Sequence, residues 1–399
     1  MATAQQDLTK RYFTGTQRTR APERTWQLAQ RQFERCGISR VADVTGLDVL
    51  GIPTWVAVRP LAATLSVSQG KGATHTAAKV SASMEAIELW YAENLPHAGP
   101  AVTAPAAELA LPYDFAGLQR AAGSLLTEHT PLPWLPAEVI GQAATSWVPR
   151  PCVAISSLAA PDWSPPLLRV SSNGLASGNC VEEAALHALF ELVERDSTAD
   201  LRERPVDRRR HIEPHSVTDP GCAELIDRID RAGAWLELVD NTRDPHFPCY
   251  VAYLWSPEDP TVYSGSGCHT DPAVALSRAI TEAAQSRLTV INGTRDDVRG
   301  GLYRGHRWDA AQPVTPPDTQ GSWAQAVRRI EPAGRAAVDT ELLHCAELVR
   351  ARTGRPVLSV PLTAPGEELA VVRVIAPGLR FGVGDECPRP LRQLPEEGR

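Results

Sequence analysis

The sequence predicts an α+β protein in which β-sheets pack with helices. Three long helical patterns share one spacing of small and acidic residues, each follows a turn rich in Gly or Asn, and short β-like runs lie between them. With 399 residues, 43% hydrophobic and 22% charged, the composition is that of an ordinary globular protein.

The elements follow in order. Residues 1–20 read as a flexible, polar tail. The apolar positions Trp26, Leu28 and Phe33 predict a helix over 22–36, stopped by Gly37. Val41 to Val44, Thr54 to Val58 and Thr64 to Ser68 read as strands, the last running into the turn Gly70-Lys71-Gly72. Thr74 to Glu93 is the first strong helix. Residues 95–145, rich in Pro and Ala, read as connecting structure with short elements. Trp147 to Ser156 is strand-like, Ser171 to Gly174 a turn, and Val181 to Asp196 the second strong helix. A helix over 225–232 precedes strands at 235–239 and 250–255. The third strong helix spans 272–288, with Pro272 in its first turn. Residues 294–321 read as a mobile loop. A helix at 340–352 and strands at 357–360 and 370–374 close a domain over 21–385. Residues 386–399 read as a Pro-containing tail.

Net charge is −7, which gives no basic field for nucleic acid; Arg208-Arg209-Arg210 reads as a solvated face. No apolar run of about 18 residues or more exists to span a membrane. The first residues lack the apolar core of a secretory signal, and the expected location is cytoplasmic. The eight cysteines form no C-x-x-C pair and read as reduced thiols.

The three helices repeat one pattern. The first carries Ser81-x-x-x-Glu85-x-x-Glu88, the second His187-x-x-x-Glu191-x-x-Glu194, and the third Arg278-x-x-x-Glu282-x-x-Gln285. They read as one turn–helix unit used three times around a shared centre. Residues at i and i+3 share a helix face, so Glu85 with Glu88 and Glu191 with Glu194 aim pairs of carboxylates along stripes that also hold Met84, Ile87, Phe190 and Val193. Such pairs repel and are costly to desolvate, so a cation must neutralise them. Four carboxylates are a hard oxygen set suited to Mg²⁺ rather than zinc, and paired Mg²⁺ ions imply a polyphosphate. A single E-x-x-E is ordinarily a solvated face; from the pattern alone both readings stand. Arg195 and Arg287 add guanidinium groups able to clamp phosphate. Asn179 and Glu183 lie at the start of the second helix, where phosphate is favoured, although an N-cap and a dipole-favoured acid read equally well there. Lys71 is one of three lysines, but neither a P-loop nor a G-x-G-x-x-G fingerprint is present.

These segments resemble the YcaO family. The likeness runs from Leu65 to Gly72 through Ser81-x-x-x-Glu85-x-x-Glu88, then from Ser172-Asn173-Gly174 through Asn179-x-x-x-Glu183 to Glu191-x-x-Glu194-Arg195, and then Glu282-x-x-Gln285-x-Arg287. Gly37 to Asp48 also fits the family's opening, and the whole covers about 22–381. The resemblance implies a YcaO-type fold with ATP held by Mg²⁺. Glu85, Glu88, Glu191 and Glu194 would be the metal ligands. Ser81, Asn179, Glu183 and Arg195 would contact nucleotide, Lys71 would lie at the same site, Gln285 and Arg287 would lie near the phosphates, and Thr25 would lie near the adenine. Glu191, Arg195 and Arg287 are the expected catalytic residues. One departure is Leu89, where the family often has Arg.

The reaction the family implies begins with a nucleophile adding to a peptide amide carbonyl. The oxyanion takes the γ-phosphate, and phosphate then leaves, so positioning and electrostatics do the work. The nucleophile sets the product: azoline, thioamide or amidine. Azoline-forming members typically end in P-x-P-x-P, whereas here Pro388-Arg389-Pro390 is followed by Leu391. The resemblance is nearer to members accompanied by a TfuA-type partner and linked to thioamides. The expected partners are a precursor peptide and a TfuA-like or leader-binding protein, with a homodimer possible. The alternatives are an azoline- or amidine-forming cyclodehydratase and a non-catalytic ATP-binding scaffold.

Overall fold

A computed structural model describes residues 7–97, 99, 101–156, 166–199, 201, 204–295, 297 and 321–381. The tail over 386–399, with its Pro388-Arg389-Pro390 motif, and most of the loop expected at 294–321 lie outside the described residues.

Residues 9–20, read from sequence as tail, are built into the fold. β1 (Arg11–Phe13) and β2 (Thr16–Arg18) form a hairpin. Lys10 pairs with the buried Glu341, and its N–H donates to the Ala336 carbonyl at 2.8 Å. The tip residue Gly15 has φ of +75°, and a Cβ there would stand 2.5 Å from Ser277 Oγ. Only glycine meets both demands.

α1 (Pro22–Gln30) and α2 (Phe33–Cys36) follow, α2 ending on the left-handed Gly37. β3 (Arg40–Asp43), β4 (Thr54–Val58) and β5 (Val67–Lys71) make an antiparallel three-stranded sheet that leads into α3 (His75–Asn94). β6 (Val102–Pro105), β7 (Pro131–Val139), β8 (Thr145–Pro149) and β9 (Leu175–Gly178) come next, and β9 leads into α4 (Val181–Thr198). β10 (Arg210–Ile212), α5 (Pro220–Arg231), β11 (Trp235–Asp240), β12 (Cys249–Trp255) and β13 (Tyr263–Cys268) lead into α6 (Pro272–Asn292). α7 (Trp323–Val327), α8 (Val338–Thr353), β14 (Leu358–Pro361) and β15 (Ala370–Ile375) complete the chain. β10 to β13 form a four-stranded sheet. β6, β7, β14, β15 and β9 lie in that order in a larger one, with β8 on β7.

The glycine-rich segments ahead of the helices differ from expectation. Gly70 and Lys71 belong to β5, and Gly265 to Gly267 to β13, so strands rather than turns precede the helices. The reason is close packing. A Cβ on Gly70 would fall 2.0 Å from the Ala82 backbone nitrogen, and one on Gly265 would fall 2.2 Å from that of Ala283. Gly178 ends β9 against Ala184 in the same manner. The strand expected at 64–68 is shifted to 67–71. β7 went unread because its three prolines resemble loop punctuation, and the strand expected at 147–156 stops at Pro149, where Pro149 and Pro151 turn the chain.

One apolar core joins α3 to the larger sheet, a second packs α4 and α8 on β15, and a third packs α5 and α6 on β11 to β13. Among the described residues no helix is long and apolar enough to cross a membrane.

Candidate functional site

α3, α4 and α6 turn their acidic faces to one cavity of about 530 Å³. Three layers are read along the helices. Ser81, His187 and Arg278 make the first, Glu85, Glu191 and Glu282 the second, and Glu88, Glu194 and Gln285 the third; all nine side chains line the cavity. The i, i+4, i+7 spacing puts each set on one face. Thr25, Lys71, Asn179, Glu183 and Arg195 line the same space. The structure thus brings together every residue singled out from the sequence except Arg287.

Arg287 is a correction. It stands two residues beyond Gln285, about 200° further round the helix, and its buried guanidinium bonds Asp48 at 3.0 Å and Ser256 Oγ at 2.9 Å, outside the cavity lining. Asn179 also differs from the simple N-cap reading, since Cys180 caps α4 through its Sγ.

Neighbouring strands fix most of the polar side chains. Ser177 on β9 donates to Glu88 Oε1 from its N–H at 2.9 Å and its hydroxyl at 2.6 Å. Ser266 on β13 donates to Glu194 at 2.7 Å. Lys71 pairs with Glu282, and Gln285 Nε2 donates to the Gln69 carbonyl at 2.8 Å. At the first-turn end of α4, Glu183 accepts from the Thr19 N–H and hydroxyl, each at 2.7 Å, and from Asn179 Nδ2 at 2.9 Å; Asn179 Oδ1 in turn accepts the Thr25 hydroxyl at 2.8 Å. The N-terminal hairpin is thereby tied to the cavity wall.

Burial dominates the electrostatics of the acidic centre. Burial, with Glu85 and Glu191 adding repulsion against the Ser177 bonds, raises Glu88 to about 8. Burial raises Glu191 to about 7, with Glu194 repelling and Arg195 partly compensating. Burial also raises Glu85. Glu282 runs the other way: burial opposes ionisation, but Lys71 and Arg195 outweigh it. His187 is pushed well down by burial, Arg278 and Arg18, and is neutral.

Among the described residues no three His, Cys, Asp or Glu side chains form a ready metal cage. Mg²⁺ commonly takes one or two carboxylates and completes its shell with water and phosphate oxygens. Two further observations fit a polyanion with its counter-ions. Glu85, Glu88 and Glu191 are raised despite the cations around them, and Arg278, on the cavity wall, has an Nε with no hydrogen-bond partner among the described residues.

Arg18, His187, Arg278 and Glu282 also line the cavity, beyond the site residues expected from the sequence. The signal for His187 and Arg278 was present, since each stands four residues before the first acid of its helix, as Ser81 does. Arg18 reaches the cavity only through the hairpin and left no local mark in the sequence.

Fold and cleft together define an α+β domain built to hold a polyanion with divalent cations between three acidic helices. The chain belongs to the YcaO family: the family described as YcaO cyclodehydratase, ATP- and Mg²⁺-binding, matches residues 69–380. ATP and Mg²⁺ are its cofactors. An uncharacterized protein of Mycobacterium tuberculosis is 37% identical over 394 residues, covering 95% of this chain and 86% of that one. An uncharacterized protein in the tfuA 3′ region of Rhizobium leguminosarum bv. trifolii is 35% identical, covering 92% and 89%. Among solved structures, YcaO from Methanopyrus kandleri bound with AMPPCP and Mg²⁺ has a TM-score of 0.67 at 22% identity, covering 93% and 94%. A heterocyclase in complex with substrate and cofactor has a TM-score of 0.75 at 22% identity, covering 92% of this chain but 54% of that one, so the chain spans about half the heterocyclase's length.

Proposed function

We propose that this YcaO protein uses ATP to phosphorylate the oxygen of a peptide backbone amide, and that its product is a thioamide made with a TfuA-type partner. The observation that carries the phosphoryl-transfer reading is the convergence of Glu85, Glu88, Glu191 and Glu194 on one cavity with Lys71, Arg195 and Arg278. Carboxylates would hold Mg²⁺, and guanidinium and ammonium groups would take phosphate oxygens.

Bound ATP supplies the phosphoryl group that turns the amide oxygen into a leaving group. Thr25 and Asn179, hydrogen-bonded to each other, mark the end of the cavity assigned to the nucleoside. Glu183 orients Asn179 through its amide. Ser81, Arg195 and Gln285 would contact the phosphates. Glu191 would be the central metal ligand, since it lies in the middle layer and Arg195 already lowers the cost of its charge.

The thioamide assignment is supported by the relative encoded in a tfuA 3′ region. The test uses the purified chain, a TfuA-type protein, a candidate precursor peptide, ATP, Mg²⁺ and sulfide. The expected result is peptide-dependent ADP formation and a mass gain of one oxygen-to-sulfur exchange, both lost in Glu191→Gln. Loss of one water from the peptide would replace the thioamide by an azoline. Absence of ATP turnover with ATP still bound would make the chain a scaffold.

A further inference from the structure

The second layer of the cavity holds three acids, Glu85, Glu191 and Glu282, and Glu282 is paired with Lys71. Lys71 ends β5, where it stands opposite Thr54. The glycines on either side of it press the strand against α3. A Cβ on Gly70 would fall 2.0 Å from the Ala82 nitrogen, and one on Gly72 would fall 2.8 Å from the Ala77 Cβ. The backbone of Lys71 is therefore held, and the freedom of its ammonium lies in the long, flexible stem. A second bond ties α6 to the same strand, from Gln285 Nε2 to the Gln69 carbonyl at 2.8 Å. Strand and helix thus stay joined when Lys71 leaves Glu282.

The pair is open to the cavity. Its side chains keep 17% and 22% of their surface, against 5% and 2% for Arg287 and Asp48. An ion pair with that much access to solvent exchanges partners easily, whereas a buried one does not. Glu282 also has a second cation beside it. Burial opposes its ionisation, but Lys71 and then Arg195 hold it below the ordinary carboxylate range. Its charge is therefore not stranded when Lys71 turns away. Lys71, for its part, offers three N–H donors to anionic oxygen, and a carboxylate oxygen now stands where a phosphate oxygen could.

We propose that Glu282 is a positioning residue that parks the Lys71 ammonium in the ligand-free chain, and that Lys71 exchanges Glu282 for a phosphate oxygen when Mg²⁺·ATP binds, while Glu282 passes to Arg195. The proposal rests on the nucleotide-binding reading above and adds an internal competitor to it. Its consequence has a defined sign. The carboxylate competes with phosphate for Lys71, so removing its charge strengthens nucleotide binding. Removing a metal ligand does the opposite.

The test is calorimetric titration of the full chain with a non-hydrolysable ATP analogue at saturating Mg²⁺. Glu282→Gln is expected to bind the analogue about fivefold more tightly, in line with the strength of a solvent-accessible ion pair. Lys71→Met is expected to cancel that gain, so that Lys71→Met and the Lys71→Met/Glu282→Gln double variant bind alike. Glu282→Asp keeps the charge but draws it back from Lys71, and its affinity is expected to fall between those of wild type and Glu282→Gln. Thermal melts without nucleotide check that each variant is folded, and the milder Glu282→Asp carries the test if Glu282→Gln is not. Weaker binding in Glu282→Gln would make Glu282 a metal ligand and overturns the proposal. A gain that persists at full size without Lys71 is general charge repulsion and overturns it too. If wild type binds the analogue and Glu282→Gln binds it equally well, only the exchange falls. If wild type does not bind the analogue with Mg²⁺, the nucleotide reading falls and the exchange with it.

Discussion

Arg287 Nε lies 3.0 Å from Asp48 Oδ2, and both side chains are almost wholly buried. The pair fastens α6 to the turn after β3, and the Tyr263 ring lies 6.0 Å from the guanidinium carbon. Removing one partner strands the other charge, which typically costs about 3–5 kcal/mol. Arg287→Ala is therefore expected to lower unfolding free energy by that order in chemical denaturation, with Mg²⁺·ATP affinity unchanged in the protein that remains folded. A variant of full stability with weakened nucleotide binding would return Arg287 to the phosphates.

The raised carboxylates give a pH dependence of defined sign. Glu88 at about 8 and Glu191 at about 7 hold protons that the unfolded chain releases near 4.5. The folded, ligand-free state therefore binds more protons across that window. Stability is fully present below about 4.5 and falls as pH rises toward 8. Mg²⁺ must displace the same protons. Affinity for Mg²⁺·ATP is expected to strengthen by up to about tenfold per pH unit for each proton released. Thermal melts from pH 5 to 9, with and without Mg²⁺·ATP, check both slopes. A ligand-free melt that rises between pH 6 and 8 would refute the carboxylate-crowding account.

Most of the site was legible because helix periodicity is a local property. The spacing of Glu85 and Glu88, and of Glu191 and Glu194, fixes their common faces whatever the rest of the fold does. Convergence of the three helices on one space required tertiary packing, for which sequence offered only the glycines before each helix. Local sequence makes those glycines look like turns, yet Gly70 and Gly265 sit in strands, and the need for glycine is visible only when Ala82 and Ala283 lie beside them. Arg287 misled because its sequence neighbourhood is right while its rotation about the helix is wrong. The hairpin over residues 11–18 was hidden for a different reason: its strands are only three residues long, and what orders them and their flanks is contact with Glu183, Ser277 and Glu341 far along the chain.

The strand glycines themselves are testable. At Gly70 and Gly265 the nearest atoms to an added Cβ are backbone, which cannot swing aside. Gly70→Ala and Gly265→Ala must part the strand from its following helix. Overpacking of this kind costs about 1–3 kcal/mol or more. The same shift would move Glu85 or Glu282 relative to the other helices. Each variant is expected to melt lower and to bind Mg²⁺·ATP more weakly, whereas Gly123→Asn, at a loop position with φ of +69° and open space, should do neither. Wild-type nucleotide affinity in Gly70→Ala would show that helix spacing does not set the site.

Glu183 connects the hairpin to the end of the cavity where Thr25 and Asn179 meet. One oxygen takes both Thr19 donors at 2.7 Å, and the other takes the Asn179 amide and lies 3.8 Å from Arg18 Nε. Glu183→Gln keeps the size but loses the charge and turns one acceptor into a donor facing donors. Hydrogen bonds to a charged group contribute about 1.5–3 kcal/mol, so local opening of residues 9–20 should become about tenfold or more frequent. Amide exchange over that segment is the direct measure, and it should rise without change in α8 or β15. Asn179, released from its orienting partner, should bind nucleotide less well, while Thr19→Val, which removes one of the two Thr19 donors and leaves Asn179 held, should loosen the hairpin more than it weakens the nucleotide. Equal losses in both variants would mean that hairpin closure, rather than the orientation of Asn179, limits nucleotide binding.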